Sequence, residues 1–392
     1  MEKQNQIESG RVVGQKIMTL FELIDNDNIL SCLDNIVSGK KVSTAYLFHG
    51  KDGAGTEAFA LEFAAKLLCG SRNNKPCGSC SSCRKMKTLQ HPDLFLVYPL
   101  PSKEDSRTID PFKGLSSKKI EEIQQLLQKK SEDPYTKLLV SGARSIPISF
   151  VRWIRKQVYM KPQESSARCV IIFDAHLLTI EASNAFLKVL EEPPENTIFI
   201  LTSEFPESIL PTIRSRCQAL FFPQLPEGKI ENKLVQKGIP GEKAKLIANL
   251  SAGDLTAAYK ILDYDIIEIE DMAINLLVYI ATWNKNKLKE KLQNMVEIYR
   301  KDQYKFFLVL KIIQRWFMDA ALLKLGMDGH LVLYNRRDRL IRFVKSFPDF
   351  DVEGLHRAID YCVDLLRSNV YISLALVNLF FDLKEGLGRR AK

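Results

Sequence analysis

The sequence predicts an α/β domain followed by an all-α region, and three observations predict it. An apolar run at 45–49 leads through a glycine-rich turn into a helical pattern at 58–68. Two further strand-like runs, 168–173 and 197–203, each end in polar residues. From about residue 266 onward only long amphipathic helical periodicity is left, as in 304–325, with no strand pattern and no glycine motif. At 392 residues the chain exceeds what one hydrophobic core usually supports, so two or three domains are expected.

Ala45-Tyr46-Leu47-Phe48-His49 reads as a buried strand and runs straight into Gly50-Lys51-Asp52-Gly53-Ala54-Gly55-Thr56-Glu57. That octet keeps the glycine frame of a phosphate-binding loop, G-x-x-x-x-G-K-[ST], whose backbone N–H groups wrap phosphates while the Lys and the hydroxyl engage phosphate and Mg²⁺. Gly50 and Gly55 are correctly spaced and Gly53 lies between them, but Thr56 stands where the Lys belongs and Glu57 replaces the Mg²⁺-holding hydroxyl. A carboxylate facing a triphosphate is repulsive. The frame is kept and the chemistry lost, although a glycine turn in any α/β unit would read much the same.

Cys69, Cys77, Cys80 and Cys83 form C-x7-C-x2-C-x2-C across a polar, turn-rich stretch with no apolar pattern of its own. Four thiolates satisfy tetrahedral Zn²⁺ and leave no open position, which describes a structural ion rather than a catalytic one. Four free surface thiols are the bland alternative. The remaining four of the eight cysteines, Cys32, Cys169, Cys217 and Cys362, stand alone and read as small buried residues.

An ATPase of this architecture needs a second strand ending in an acidic pair that holds Mg²⁺ and orients water. The candidate is Arg168-Cys169-Val170-Ile171-Ile172-Phe173-Asp174-Ala175-His176. Aligned on Ala175-His176, Phe173 falls at the first acidic position and Asp174 at the second, and a phenyl ring holds no metal. Asn184-Ala185-Phe186-Leu187-Lys188 then continues to Leu190-Glu191-Glu192-Pro193-Pro194, a helix stopped by a double proline. Ser215-Arg216-Cys217 follows the strand at 196–203.

These residues, with the four-cysteine insertion and His91-Pro92-Asp93, resemble the bacterial clamp-loader subunits of the AAA+ class that serve DNA polymerase III, over about residues 30 to 260. The resemblance implies a RecA-like AAA+ nucleotide-binding fold over 1–223, with a zinc module at 69–83 and a lineage-specific insertion at 99–147. A small helical lid over 224–265 and a helical collar over 266–392 would follow. It implies that Arg216, flanked by Ser215 and Cys217 and close to Arg214, reaches across a subunit boundary to the γ-phosphate of a neighbour's ATP, as an arginine finger does. A non-hydrolysing subunit is then expected, with ATP bound and hydrolysed elsewhere in the assembly and Zn²⁺ purely structural. Its partners would be gamma/tau-like ATPases and a delta-like subunit, and through the complex a sliding clamp, primed DNA and the polymerase.

Within the insertion, Ser117 to Lys130 predicts a helix with Ile120, Ile123, Leu126 and Leu127 on one face, in an elaborated surface loop. Trp316, Phe306 and Phe307 are expected in the core of the last domain rather than at an interface.

Two alternatives use the same residues. An active clamp-loader ATPase would need Lys51 to replace the missing lysine. A zinc-dependent nucleic-acid binder would rely on Arg72, Lys75, Arg84, Lys85 and Lys87, which have no interleaved aromatics to stack bases. The net charge of +9 is spread among mixed-sign residues and selects neither. An N-terminus without an apolar core, and the lack of any apolar run of 18 residues, lead to the expectation of a cytoplasmic protein with no membrane span.

Overall fold

The computed structural model describes residues 18–24, 26–39, 42–72, 75–101, 109–368 and 370–388. The chain forms two compact units that meet in sequence between Gln224 and Leu225.

The first unit runs α1 (Asp27–Ser38), β1 (Ala45–His49), α2 (Thr56–Leu68), α3 (Ser81–Lys87), β2 (Leu94–Val97), α4 (Ser117–Glu132) and α5 (Ile148–Val158). It continues with β3 (Arg168–Ile172), α6 (Ile180–Glu191), β4 (Thr197–Ser203), α7 (Pro211–Arg214) and β5 (Gln218–Phe221). The strands form one sheet in the order β2-β3-β4-β1-β5, with every pairing parallel. Parallel neighbours cannot be joined by tight turns, so helical crossovers lie between them and cover the sheet. That explains why β3 and β4 are buried along their whole length without polar alternation, whereas the edge strand β5 is largely exposed.

Register places the two candidate loops together. Ala45 pairs with Phe199 and His49 with Ser203, while Ile172 pairs with Leu201, so β1, β3 and β4 end nearly level. The loops after β1 and β3 therefore open at the carboxyl edge of the sheet, where open α/β sheets bind ligands. Helix α2 departs from this edge, and Ala58, Phe59, Ala60, Leu61, Phe63 and Ala64 are wholly buried. A helix apolar nearly all round belongs inside a core.

The segment after β2 is more than a surface loop, contrary to the sequence-based expectation. Leu100 and Ser145 form an antiparallel bridge that brings its two ends together. Phe112 packs edge-on against Phe150 and Trp153, with ring centroids 5.6 and 6.2 Å apart. Ile123, Lys130, Tyr135, Leu138 and Val140 are buried, and only Ile120 of the expected apolar face is exposed. The aromatic anchor on α5 and the apolar stripe draw α4 and the residues after it into the core of the first unit.

The second unit is helical: α8 (Glu227–Gln236), α9 (Gly241–Ser251), α10 (Leu255–Leu262), α11 (Ile266–Thr282), α12 (Lys285–Lys301), α13 (Gln303–Lys324), α14 (Arg337–Ser346), α15 (Val352–Arg367) and α16 (Ile372–Gly386). Side-chain caps from Asp254, Asp265, Asn284, Asp302 and Asp351 begin five of these helices by accepting orphan backbone N–H groups. α13 is the hub. It packs against α11, α12, α14 and α15, with Phe306, Val309, Ile313, Phe317 and Ala320 fully buried along one stripe. Trp316 is buried with them and Phe307 half-buried, an intradomain packing role for this cluster.

Candidate functional site

The loop after β1 is the glycine turn that the sequence reads as a candidate phosphate cradle. Gly50 N donates to Ser203 O at 3.2 Å, and Phe222 N donates to His49 O at 2.8 Å, which ties the start of the turn to the residues at the ends of the two neighbouring strands. Gly53 lies at the turn, and Gly55, with φ +94°, forms the N-cap of α2. Left-handed backbone of that kind is open to glycine at little cost. Thr56 and Glu57 start the helix, and Thr56 is half-buried.

Inside the cradle stand two lysines that the sequence reading missed. Lys130, at the end of α4 and 0% exposed, forms an ion pair with Glu57 Oε2. It also donates to Thr136 O at 2.7 Å and Pro134 O at 3.3 Å, which accounts for the three N–H groups of its ammonium. The same nitrogen lies 4.7 Å from the centroid of the Phe173 ring. Lys137 pairs with Asp52, with Asp174 Oδ1 at 3.4 Å and with Glu57 Oε1 at 4.0 Å. Burial opposes the charge on Lys137, but the carboxylates of Glu57, Asp174 and Asp52 outweigh it and lift its pKa above that of an ordinary lysine. Burial and the nearby Glu57 raise Asp174, against the pull of Lys137. Tyr135 completes the arrangement, accepting from Ile24 N at 2.9 Å through its hydroxyl.

Thus Glu57 and Phe173, departures from a metal site in the sequence, and Asp174, at the second acidic position, converge in space on ammonium groups. Lys51, the substitute an active site would require, is exposed. A signal for Lys130 did exist, because it continues the stripe of Ile123, Leu126 and Leu127 at helical spacing. A lysine on an apolar stripe needs a buried partner.

Beside the cradle, α2 carries a second buried polar pair. Glu62 accepts from Leu20 N at 2.9 Å and Phe21 N at 3.1 Å. Lys66 meets Asp34 at 2.6 Å and Met18 O at 3.3 Å. Desolvation raises Glu62 to about 7 despite the two amide donors and Lys66. These contacts pin residues 18–21 to α2.

The cysteine module closes on itself. Cys69 Sγ and Cys80 Sγ are 4.0 Å apart, as are Cys77 Sγ and Cys83 Sγ, and all four sulfurs lie within 4.8 Å of one another. Tetrahedral Zn–S bonds of about 2.3 Å require sulfurs about 3.8 Å apart, so the set fits a metal ion closely. Backbone N–H groups of Cys77, Cys80 and Cys83 point at sulfurs of the set, each at 3.4 Å, as suits thiolate charge. Cys80 also caps α3, which places Cys83 in the first turn. Of the isolated cysteines, Cys169 and Cys362 are buried, whereas Cys32 and Cys217 are only half-buried.

His91-Pro92-Asp93 has a structural task. The buried Asp93 accepts from Gln163 N, Glu164 N and Ser165 N at 2.7–2.9 Å, ordering the chain just before β3. Arg168, at the start of β3, donates to the carbonyls of Gln157, Val158, Met160 and Lys161.

Arg216 sits just past α7, where Leu210-Pro211 starts a single helical turn and Ser215 Oγ donates back to Thr212 O at 3.2 Å. Its guanidinium donates to Thr212 O at 2.9 Å and lies 3.3 Å from Glu191 Oε1. Arg214, Ser215 and Arg216 are all exposed, and Cys217 is half-buried beneath them, its thiol pushed up to about 12 by burial.

A parallel α/β sheet with a glycine turn at its carboxyl edge, leading into a helix, is the architecture of a nucleotide-binding fold. The family model for DNA polymerase III, delta subunit, matches residues 25–226, just over half of the chain, and the chain belongs to that family. Within it the chain is delta-prime-like. It is 33% identical over 223 residues to the DNA polymerase III subunit delta' of Bacillus subtilis, covering 57% of this chain and 55% of that one. It is 28% identical over 237 residues to the delta' subunit of Escherichia coli, covering 60% and 59%. The tau subunit of B. subtilis is 28% identical over 263 residues, covering 64% and 39%. The chain thus spans about half the length of the delta' relatives it matches and less of the tau subunit. Among the described residues, no helix is long and apolar enough to cross a membrane.

Proposed function

We propose that the chain is a non-hydrolysing, delta-prime-like subunit of a DNA polymerase III clamp loader. It would assemble with gamma/tau-like ATPases and a delta-like subunit and help place a sliding clamp on primed DNA. The observation that carries the reading is the pairing of two features: a glycine loop with Thr56 and Glu57 where the lysine and the Mg²⁺-holding hydroxyl belong, and an exposed Arg216 just past a short helical turn. An arginine of that kind has nothing to serve in its own cradle, and serves instead a γ-phosphate held by a neighbour. A planar, always-charged fork suits charge developing on a transferred phosphoryl group. Cys69, Cys77, Cys80 and Cys83 would hold a structural Zn²⁺, which supplies folding energy to a segment with no core of its own. The working-ATPase alternative is weakened by the exposure of Lys51 and by the ion pair that already engages Glu57.

Reconstitution tests this. The chain alone should show no Mg²⁺-dependent ATP turnover, and a loader assembled without it should fail to load clamps. Turnover by the chain alone, or full loading in its absence, would overturn the assignment.

A further inference from the structure

The two departures that would disable a metal site, Glu57 and Phe173, both meet one short stretch of the same chain. Glu57, in place of the metal-holding hydroxyl, pairs with Lys130. Phe173, in place of a metal-holding carboxylate, offers its ring face to that same ammonium at 4.7 Å. Asp52 and Asp174 both pair with Lys137. A Cβ built on Gly55 would lie 3.0 Å from Cε1 of Tyr135, so the absence of a side chain there gives room for the ring.

We propose that the cradle is a socket for residues 130–137, which take the place of a magnesium nucleotide and hold the loop after β1 against the end of β3 in one fixed arrangement. Random decay of an unused site would scatter substitutions with no common partner. Here a carboxylate appears where a buried ammonium needs one, and an aromatic face appears where that ammonium needs no hydrogen bond. Lys130 is wholly enclosed, and an enclosed charge persists only when paired and hydrogen-bonded. In an ATPase, nucleotide turnover changes the contacts between these two loops; a covalently tethered ligand abolishes that change. This deepens the non-hydrolysing reading, since it concerns binding rather than turnover.

The test uses the full chain. Equilibrium dialysis with radiolabelled ATP and Mg²⁺ at millimolar concentration should show no binding to the wild type. Lys130→Met should lower the melting temperature of the first unit by roughly 10 °C. Adding Glu57→Gln should recover most of that loss, because the orphaned carboxylate is gone. Should Lys130→Met fail to fold, the double variant decides alone: a folded protein supports the socket and an unfolded one overturns it. Failure of Glu57→Gln to recover the single variant would also overturn it. ATP bound without turnover would sink the socket and leave the non-hydrolysing reading standing, whereas ATP bound and hydrolysed would end both.

Discussion

Arg216 and Glu191 form an exposed ion pair, with Nη2 3.3 Å from Oε1, joining the turn after α7 to the last residue of α6. Their side chains are 39% and 47% exposed, and a pair so open to water contributes only about 0.2–1 kcal/mol. A contact this weak leaves the guanidinium able to exchange Glu191 for another anion at little cost. Both residues belong to motifs recognised in the sequence, Ser215-Arg216-Cys217 and the glutamate-proline end of α6. Their proximity gives one motif a reason for the other.

Arg216→Ala should leave the chain folded, with a stability change below about 1 kcal/mol, because only the exposed pair is lost. In the assembled complex it should lower hydrolysis at the site it serves by about 10³-fold or more, as removal of an arginine finger does elsewhere. Arg216→Lys should not restore the rate, since a point charge lacks the planar fork. Steady-state ATPase of the reconstituted complex is the measurement, and an unchanged rate would remove the finger.

Cys80→Ser removes a sulfur from the four-thiol set and a cap from α3. The purified variant should hold markedly less zinc by elemental analysis than the wild type, with the loss concentrated at this module. The first unit should also melt several degrees lower, because 70–79 has no apolar pattern to replace the metal. Wild-type protein isolated without metal, and a variant melting at the same temperature, would show that the cluster is only a set of thiols.

Much of this arrangement was legible in the sequence because it is local. The strand, glycine turn and helix at 45–68, the cysteine spacing and the strand ending at Phe173-Asp174 are each encoded within a few residues. The contents of the cradle were not legible, since the pairing of Lys130 with Glu57 spans 73 residues. Lys137 and Tyr135 show no periodicity that marks a buried partner, and the polar flanks of the 99–147 segment suggested a solvated loop. Buried-pair chemistry belongs to tertiary contact, and one sequence shows only half of each pair.

Glu62 makes the stability of the first unit depend on pH. Its pKa is raised from the ordinary 4.5 to about 7, chiefly because it is buried. A raised acid binds its proton more tightly in the folded state, so its contribution is fully present below 4.5 and is lost as pH rises through 7. The loss across that window is roughly 3 kcal/mol. Urea midpoints of the wild type should fall between pH 5 and 7.5 relative to those of Glu62→Gln, which has nothing to ionise. Parallel profiles for the two proteins would show that Glu62 is not the group responsible.

Gly50→Ala separates a structural glycine from a phosphate-binding one. A Cβ at this position would come within 2.3 Å of Phe222 O and 3.0 Å of Phe222 Cβ. The obstruction is backbone from the residue just after β5, so no side-chain rotation relieves it. Phe222 itself is wholly buried, with its ring against Phe48 at 5.2 Å and Phe59 at 5.5 Å, which prevents the strand end from moving away. Relief would have to break the His49–Phe222 hydrogen bond or part β5 from β1, a loss of about 2 kcal/mol or more. The alanine variant should therefore be destabilised with or without ATP in the buffer, and equally so in both. A variant as stable as the wild type would mean that this glycine is free of the packing constraint and is a remnant of phosphate binding alone.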